Sequence, residues 1–306
     1  MKSYIKYLLA IVIATFVIFE TLTLGILTAP KGVFHSWYNS MVQDKYRILE
    51  ETNEPKIIII SGSSSAFGLN QTMLEEATGY KVANLGLHAG FGQLFNTEIS
   101  KANINAGDIV LLGYEYNWID GFDSLDQNLI MTGIDDDIEI YTKIPINKWP
   151  DFIGYLFKYA DKKNETEIAE EVDGEYSRRA FDQDSAQMIV ERSGTYDNDE
   201  ELDISGFSLS EETIEYLQNF KEYVENSGAT IYFISPPVAK DAIVCDYSYF
   251  DDLKTVEEET IGITYISTPS DYFFPNELMY DFCYHCNSEG EKKRTELLIK
   301  DLKSVL

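Results

Sequence analysis

Four consecutive isoleucines at positions 57–60 constrain the fold of this chain more than any other feature. They lie between Lys56 and Gly62, and such an unbroken apolar run is typical of a strand covered on both faces in a parallel sheet. The loops at the carboxyl ends of such strands bind ligands in α/β proteins. The serines at 63–65 follow directly, so they are either the polar turn and cap serines that are common at strand ends or part of a site.

Apolar strands and helices alternate along most of the chain after residue 55. This alternation indicates right-handed crossovers in a parallel sheet, and therefore an α/β domain over residues 55–306. The predicted strands lie at 56–62, 80–87, 108–116, 229–238 and 262–267. An acidic, aromatic stretch at 118–207 interrupts the alternation and is predicted to be an insertion, with amphipathic helices near 149–159 that form a lid or a substrate platform.

An apolar segment of about two dozen residues follows Lys2 and Lys6 and contains one charged residue, Glu20. At 1.5 Å per residue it spans roughly 36 Å, which is enough to cross a bilayer. The acidic side chain costs up to about 3 kcal/mol, whereas the Leu, Ile, Val and Phe residues at 8–27 return roughly 4–8 kcal/mol in total. Insertion into a membrane is therefore favoured.

We expect residues 1–30 to remain as an uncleaved transmembrane signal anchor. The best cleavage position, after Ala29, has Leu27 where a small residue is needed and Pro30 directly after the cut. By the positive-inside rule, the two N-terminal lysines place the remainder of the chain outside. The sequence thus predicts a single-pass protein of the cell membrane with an extracytoplasmic domain, joined to its anchor by a membrane-proximal helix or linker at 31–54.

The chain is strongly acidic, with 52 acidic against 24 basic residues and a formal net charge of -28. Nucleic-acid binding needs a basic surface to neutralise phosphates, so nucleic acid is excluded as an expected partner. A solvated, self-repelling surface is the simpler explanation of this charge than a dedicated cation site.

Three cysteines, Cys245, Cys283 and Cys286, allow either one disulfide and one free thiol or three free thiols. In an oxidised domain, Cys245 is expected to pair with one of the other two. The sequence "CYHC" also suggests a redox pair or a zinc site, but the following helix begins too late for the first and adjacent ligands at 285 and 286 strain the second. No metal and no cofactor are therefore expected.

The predicted strand ends bring together the residue types of nucleophilic acyl transfer. "GSSS", "NLGLHAG" and "GYEYN" end the first three strands, and "YDFCYHCNSEG" precedes the last helix. In such a reaction a hydroxyl attacks, an imidazole takes its proton and a carboxylate orients the imidazole. Ser64, His285 and Asp281 are the candidates for these roles, while His88 is a second loop histidine that contacts substrate or is merely packed or solvated.

The blocks "SGSSSAFG", "VANLGLHAG", "DIVLLGYEYN" and "DFCYHCNSEG" together resemble the SGNH hydrolase superfamily, the GDSL esterases. They resemble in particular its membrane-anchored bacterial branch, which is related to the D-alanine-transfer protein of teichoic acids and to polysaccharide O-acetyltransferases. The resemblance covers about residues 55–117 and 208–306. It implies a flavodoxin-like three-layer α/β/α fold, Ser64 as nucleophile at the end of a Gly-x-Ser triplet, and oxyanion donors at the Ser64 N–H and at Gly90 or Ala89.

Two positions depart from the family pattern. The family places an asparagine two residues after the glycine of the third block, where this chain has Glu115 after Gly113. A carboxylate repels a developing oxyanion unless it is protonated or has another task, and Asn117 is the alternative donor two residues later. Three residues rather than two separate Asp281 from His285, which weakens the assignment of the aspartate.

The resemblance implies an extracytoplasmic acyl esterase or O-acyltransferase that acts on cell-surface polysaccharide. Its expected partners are a cell-surface glycan or an acylated carrier, the membrane through the N-terminal helix, and a membrane-bound acyltransferase. Glu115 keeps a second hypothesis open, in which the chain is a catalytically inactive scaffold or glycan-binding component of a cell-envelope assembly complex.

Overall fold

The computed structural model describes residues 2–29, 33–116, 121–163 and 174–306, which form a mixed α/β structure with a parallel central sheet and one N-terminal apolar helix. The strands are β1 Lys56–Ser61, β2 Lys81–Gly86, β3 Ile109–Gly113, β4 Thr230–Phe233, β5 Val238–Ala239 and β6 Phe273–Phe274. The α-helices are α1 Lys2–Leu27, α2 Met41–Glu51, α3 Ser63–Ala66, α4 Gln71–Thr78, α5 Gln93–Ser100, α6 Gln127–Ile134, α7 Ile138–Tyr141, α8 Trp149–Lys163, α9 Glu211–Asn226, α10 Ser248–Ile261 and α11 Ser288–Leu302.

The central sheet has the strand order β2-β1-β3-β4, and each neighbouring pair is parallel. All four isoleucines of β1 are fully buried. Ile58 and Ile60 lie in one hydrophobic cluster and Ile57 and Ile59 in another, because successive side chains of a strand point to opposite faces. Both faces of β1 are thus covered, as the isoleucine run predicts.

The first three predicted strands are confirmed with slightly shorter bounds, whereas the later two differ. The predicted strand at 229–238 is divided into β4 and β5 around Pro236 and Pro237, which have no N–H to donate to a ladder. The prediction of a strand at 262–267 is wrong, since only Tyr265 forms a bridge, with Phe233. The segment is held to the end of β4 by two backbone hydrogen bonds, from the Phe233 N–H to the carbonyl of Thr264 and from the Ile266 N–H to the carbonyl of Phe233.

Residues 33–55, between α1 and β1, belong to the folded domain. Met41, Val42 and Leu49 of α2 are fully buried, and Lys45 donates to the backbone carbonyl of Asn84 in β2. The described part of the insertion also packs on the core, because buried residues of α6 and α8 share a hydrophobic cluster with those of β1 and β3.

α1 is long and apolar enough, by length and composition, to cross a membrane over Tyr4–Leu27. The expectation of an anchor from the sequence rests on the same length and composition.

Candidate active site

A site lies at the carboxyl end of the central sheet, where the elements after β1 and β3 meet the loop before α11. β1 leads through Gly62 into the short helix α3, which begins at Ser63. β3 leads to Glu115, and the loop at 279–286 carries Asp281 and His285. The ends of parallel strands meet at one edge of a sheet, so residues far apart in the chain come together here.

Ser63, His285 and Asp281 form a continuous hydrogen-bonded chain. The Nε2 atom of His285 lies 2.8 Å from the hydroxyl oxygen of Ser63, and its Nδ1 atom lies 2.9 Å from Oδ1 of Asp281. A neutral imidazole that donates from Nδ1 to the carboxylate accepts the serine proton at Nε2. A hydroxyl, an imidazole and a carboxylate linked in this order are the groups that nucleophilic catalysis by a serine requires.

The loop that carries Asp281 and His285 is a tight turn. Met279 and Cys286 form an antiparallel bridge, and the N–H of Tyr280 donates to the carbonyl of His285. This closure brings the two side chains together although three residues separate them. The unusual spacing noted in the sequence is thus compatible with a direct contact between Asp281 and His285.

Aromatic rings fix the orientation of the His285 imidazole. Phe67 stacks on it with ring centroids 4.4 Å apart and an interplanar angle of 12°, and Phe282 meets it edge-on at 5.2 Å. The side chain of His285 is therefore held in one plane between the hydroxyl of Ser63 and the carboxylate of Asp281.

Tyr176, from the insertion, is a second partner of the Asp281 carboxylate. Its hydroxyl donates to Oδ2 of Asp281 at 2.5 Å and lies 3.3 Å from Nδ1 of His285. Partial burial raises the pKa of Asp281, but the hydrogen bonds from His285 and Tyr176 outweigh it and lower this pKa below its ordinary value. Burial and the bond to Asp281 raise the pKa of Tyr176, so its phenol stays protonated.

Ser64, the nucleophile expected from the sequence, lies in a different environment. Its side chain is fully buried, whereas Ser63 is 7% exposed. The hydroxyl of Ser61 donates to the carbonyl of Gly113, which leaves the Ser64 hydroxyl to donate to the Ser61 oxygen 3.2 Å away. The structure therefore brings Ser63, and not Ser64, to His285.

Two buried ionisable side chains, Arg294 and Glu115, form hydrogen bonds to the serine turn. Arg294 of α11 donates to the carbonyl of Ser64 at 2.6 Å and to the hydroxyl of Ser65 at 3.3 Å. Oε1 of Glu115 accepts the backbone N–H of Ser64 at 2.8 Å. These contacts fix the backbone around the nucleophile candidate.

The carboxyl group of Glu115 lies directly against Gly62. A Cβ atom at Gly62 would approach Oε1 of Glu115 to 2.4 Å, so glycine is needed for this close packing. Complete burial raises the pKa of Glu115, and the Ser64 N–H offsets only part of this rise. Burial thus favours the neutral acid at this position more than water does.

The other expected oxyanion and substrate residues are less directly connected to Ser63. The N–H of Gly90 donates to Nδ1 of His88 at 3.0 Å, and Ala89 begins the same short 3-10 turn. Partial burial and the neighbouring His285 lower the pKa of His88, which lies beside the site. Asn117 lies outside the described residues.

Cys245, Cys283 and Cys286 are free thiols in the structure, and the last two are buried. Burial raises the pKa of Cys286 to about 12, and it raises that of Cys283 as well. Among the described residues, no group of three or more His, Cys, Asp and Glu side chains is arranged to hold a metal ion.

Sequence reasoning alone does not identify Ser63, Tyr176 or Arg294 as site residues. The serine triplet contains the first, but nothing in three identical residues distinguishes one from the next. Tyr176 lies in the insertion, outside every recognisable block, and Arg294 has the sequence context of an ordinary residue of the last helix.

No model of a protein family matches this sequence, and no curated protein matches it at a significant level. Among solved structures, the chain is similar to the X-ray crystal structure of YxiM, a protein from Bacillus subtilis, with 13% sequence identity and a TM-score of 0.40. The similarity covers 83% of this chain and 57% of YxiM, so the chain spans less than two thirds of that protein. Membership of the SGNH superfamily stays a prediction.

Proposed function

We propose that this chain is a serine-dependent acyl esterase or O-acyltransferase in which Ser63 is the nucleophile. The observation that carries the proposal is the chain of hydrogen bonds from Ser63 through His285 to Asp281, with heavy-atom distances of 2.8 and 2.9 Å. The base lies within hydrogen-bonding reach of the nucleophile, and a third group orients the base, which is the arrangement that activates a serine.

The reaction proceeds in two steps. The oxygen of Ser63 bonds to the ester carbonyl carbon while Nε2 of His285 takes the hydroxyl proton. The ester C–O bond then breaks, and the leaving alcohol receives that proton from His285, which leaves an acyl-serine. Water or a sugar hydroxyl then attacks the carbonyl carbon of the acyl-serine and gives its proton to His285. The bond from this carbon to the Ser63 oxygen breaks, and the oxygen takes the proton from His285, which regenerates the site.

The finer description of the fold belongs to this proposal. A flavodoxin-like three-layer α/β/α arrangement of the SGNH type is supported by the strand order β2-β1-β3-β4, since the common flavodoxin-like order begins with the same four strands. The position of the serine at the end of β1 and of the Asp–His pair before the last helix is consistent with the same assignment.

The substrate class follows from the location we propose for the domain. An anchor at α1 with an extracytoplasmic domain keeps Ser63 close to the outer face of the cell membrane, where cell-surface glycans and acylated carriers are accessible. A membrane-bound acyltransferase partner is compatible with this placement. Protease added outside intact cells is then expected to digest the domain, and recovery of a soluble form that begins near residue 30 would contradict the anchor.

Labelling with a fluorophosphonate probe tests the nucleophile. The full chain in detergent is expected to react, Ser63→Ala to lose the label, and Ser64→Ala to keep it, because of these two serines it is Ser63 whose hydroxyl contacts His285. Ser64→Ala is the matched control, since it removes the same atom from the neighbouring residue. Loss of label from Ser64→Ala alone would assign the role to Ser64 instead.

An inactive scaffold or glycan-binding component is the second candidate, and Glu115 is the observation that favours it. Its carboxyl group stands at the position where the SGNH pattern has an oxyanion-binding amide, and it is fully buried. A folded chain that reacts with neither probes nor acyl esters, and that behaves the same with serine or alanine at 63, would support this function.

A further inference from the structure

Helix α8 carries apolar side chains on two of its sides. Phe152, Leu156 and Tyr159 are buried in the main hydrophobic cluster and form one face at helical spacing. On another side, Ile153 and Phe157 are 40% and 69% exposed at a spacing of four residues. An exposed apolar stripe that continues along a helix marks an interaction surface rather than a scattered surface residue.

The stripe continues before the helix. Ile146 is 88% exposed, and Trp149, the first residue of α8, is partly buried. We refer to Ile146, Trp149, Ile153 and Phe157 as the α8 stripe. Lys158, next to Phe157, is exposed and has the long side chain that lets lysine keep its charge in water beside apolar surroundings.

The C-terminal end of α8 is fixed to the C-terminal end of α1. The ammonium group of Lys163 donates to the carbonyl oxygens of Leu27 and Ala29 at 3.1 and 3.0 Å. The same group forms an ion pair with Asp135 at 2.8 Å, and both side chains are almost completely buried. This contact connects the insertion to the C-terminal end of the membrane-length segment in α1.

The N-terminal end of α8 lies beside an earlier part of α1. A groove of about 370 Å³ between α1 and the helices α7 and α8 is lined by Phe19, Glu20 and Leu24 from α1 and by Trp149 and Ile153 from α8. At 1.5 Å per residue, Phe19 lies roughly 12 Å along α1 from Leu27. The N-terminal end of α8 therefore lies beside the interior of the apolar segment. The C-terminal end of α8 lies beside the end of that segment.

The charged residues of α8 are concentrated at its C-terminal end. Asp161, Lys162 and Lys163 are its last three residues, whereas its first turn has one acidic residue, Asp151, beside the start of the α8 stripe. Glu20, the one charge in the apolar segment, also lines this groove. It lies about 10 Å along α1 from Leu27, on the C-terminal side of the middle of α1. Trp149 and Ile153 of the α8 stripe thus lie beside α1 within its apolar segment, and Lys163 lies beside the C-terminal end of α1.

We propose that the α8 stripe docks into the interface of the same bilayer that α1 crosses, so that α8 is an interfacial membrane helix. The occupant of the stripe is lipid, because the groove and the Lys163 contact fix the stripe next to the membrane-length part of α1. The proposal rests on α1 crossing the membrane and is independent of the chemistry of Ser63. A domain held by both α1 and the α8 stripe has a fixed orientation towards the membrane.

Spin labelling of the full chain in phosphatidylcholine vesicles tests this docking. Cys245→Ser removes the most accessible native thiol, and Phe157→Cys or Ile146→Cys then introduces one label position on the stripe. Collisions with oxygen, which concentrates in lipid, are compared with collisions with a water-soluble nickel complex. The ratio of oxygen to nickel collisions is expected to be several-fold higher at 157 and 146 than at a control position in water.

Val244→Cys is the matched control, because Val244 is 52% exposed and lies beside a hydrophobic cluster that contains no residue of α1 or α8. Equal ratios at 157, 146 and 244 would overturn the proposal. Dipolar broadening between labels on separate chains would overturn it in favour of a second copy of this chain. Extraction of the unlabelled chain by alkaline carbonate would overturn its premise that α1 spans the bilayer.

Discussion

The imidazole Nε2 of His285 lies 2.8 Å from the hydroxyl of Ser63, 222 residues earlier in the chain. The base is stacked against Phe67, so it does not need to rotate to reach the serine.

Ser63→Ala and His285→Ala are each expected to reduce ester hydrolysis by several orders of magnitude, and the double variant to be no worse than either. A nucleophile and its base act as one unit, so their losses do not add. Steady-state kinetics on a simple acyl ester measures this, with Ser64→Ala as the control that costs less than about 1 kcal/mol. Additive losses would contradict a shared role.

Tyr176 is expected to be a positioning residue that acts through Asp281. Tyr176→Phe removes the donor at 2.5 Å from Oδ2 of Asp281 and should lower kcat/KM by about fivefold, because a bond to a charged group contributes about 1 kcal/mol at a partly exposed site. Tyr280→Phe is the control, since Tyr280 donates to Glu175 outside the Ser–His–Asp chain. Equal effects of the two variants would remove Tyr176 from the mechanism.

The same variant has a consequence for acid stability. The folded-state pKa of Asp281 is depressed, so this carboxylate contributes stability above its unfolded value of about 3.9, and the contribution is lost as the pH falls through the folded value. Tyr176→Phe removes one cause of the depression. Denaturant unfolding below about pH 4 is therefore expected to show a smaller loss on acidification than in the unchanged chain.

Glu115→Gln is expected to keep the activity and to flatten its decline above the raised pKa of Glu115. Burial raises the pKa of Glu115, and once it ionises its charge opposes the negative charge that develops on the substrate oxygen near Ser63. Glutamine keeps the acceptor for the Ser64 N–H without this charge. The pH dependence of kcat/KM measures the effect, and an identical alkaline decline in both proteins would contradict it.

Glu257 provides a test of stability away from the site. It is fully buried, accepts a hydrogen bond from Tyr265, and its pKa is raised by burial to about 8. A raised carboxyl pKa contributes stability that is complete below the unfolded value near 4.3 and is lost as the pH rises towards 8. Glu257→Gln should therefore be the more stable protein at pH 8 and should lose this pH dependence.

Urea unfolding between pH 5 and pH 8 measures the effect of Glu257→Gln. Glu259→Gln, on the exposed side of the same helix, is the control and should leave the pH dependence unchanged. A stability of Glu257→Gln that falls with pH as steeply as that of the unchanged chain would contradict the assignment of the raised pKa to Glu257.

The sequence by itself determined the elements whose pattern is local. The isoleucine run at 57–60 has apolar residues facing both sides of a strand, so it fixes a central strand covered on both faces. That α1 is long and apolar enough to cross a membrane can likewise be read from the sequence without the tertiary structure. Asp281 and His285 are also close enough in sequence for a single turn to join them.

Only the tertiary structure decided which serine meets His285 and which groups support the pair. Adjacent residues of a helical turn point about 100° apart, so Ser63 faces the imidazole while Ser64 faces Ser61, and three identical residues give no sign of that phase. Tyr176 lies 105 residues before Asp281 in the chain, and only the folding of the insertion brings the two side chains into contact. The burial that raises the pKa of Glu115 likewise exists only once β3, the serine turn and α11 pack together, because burial is a property of the packed chain and not of the residue.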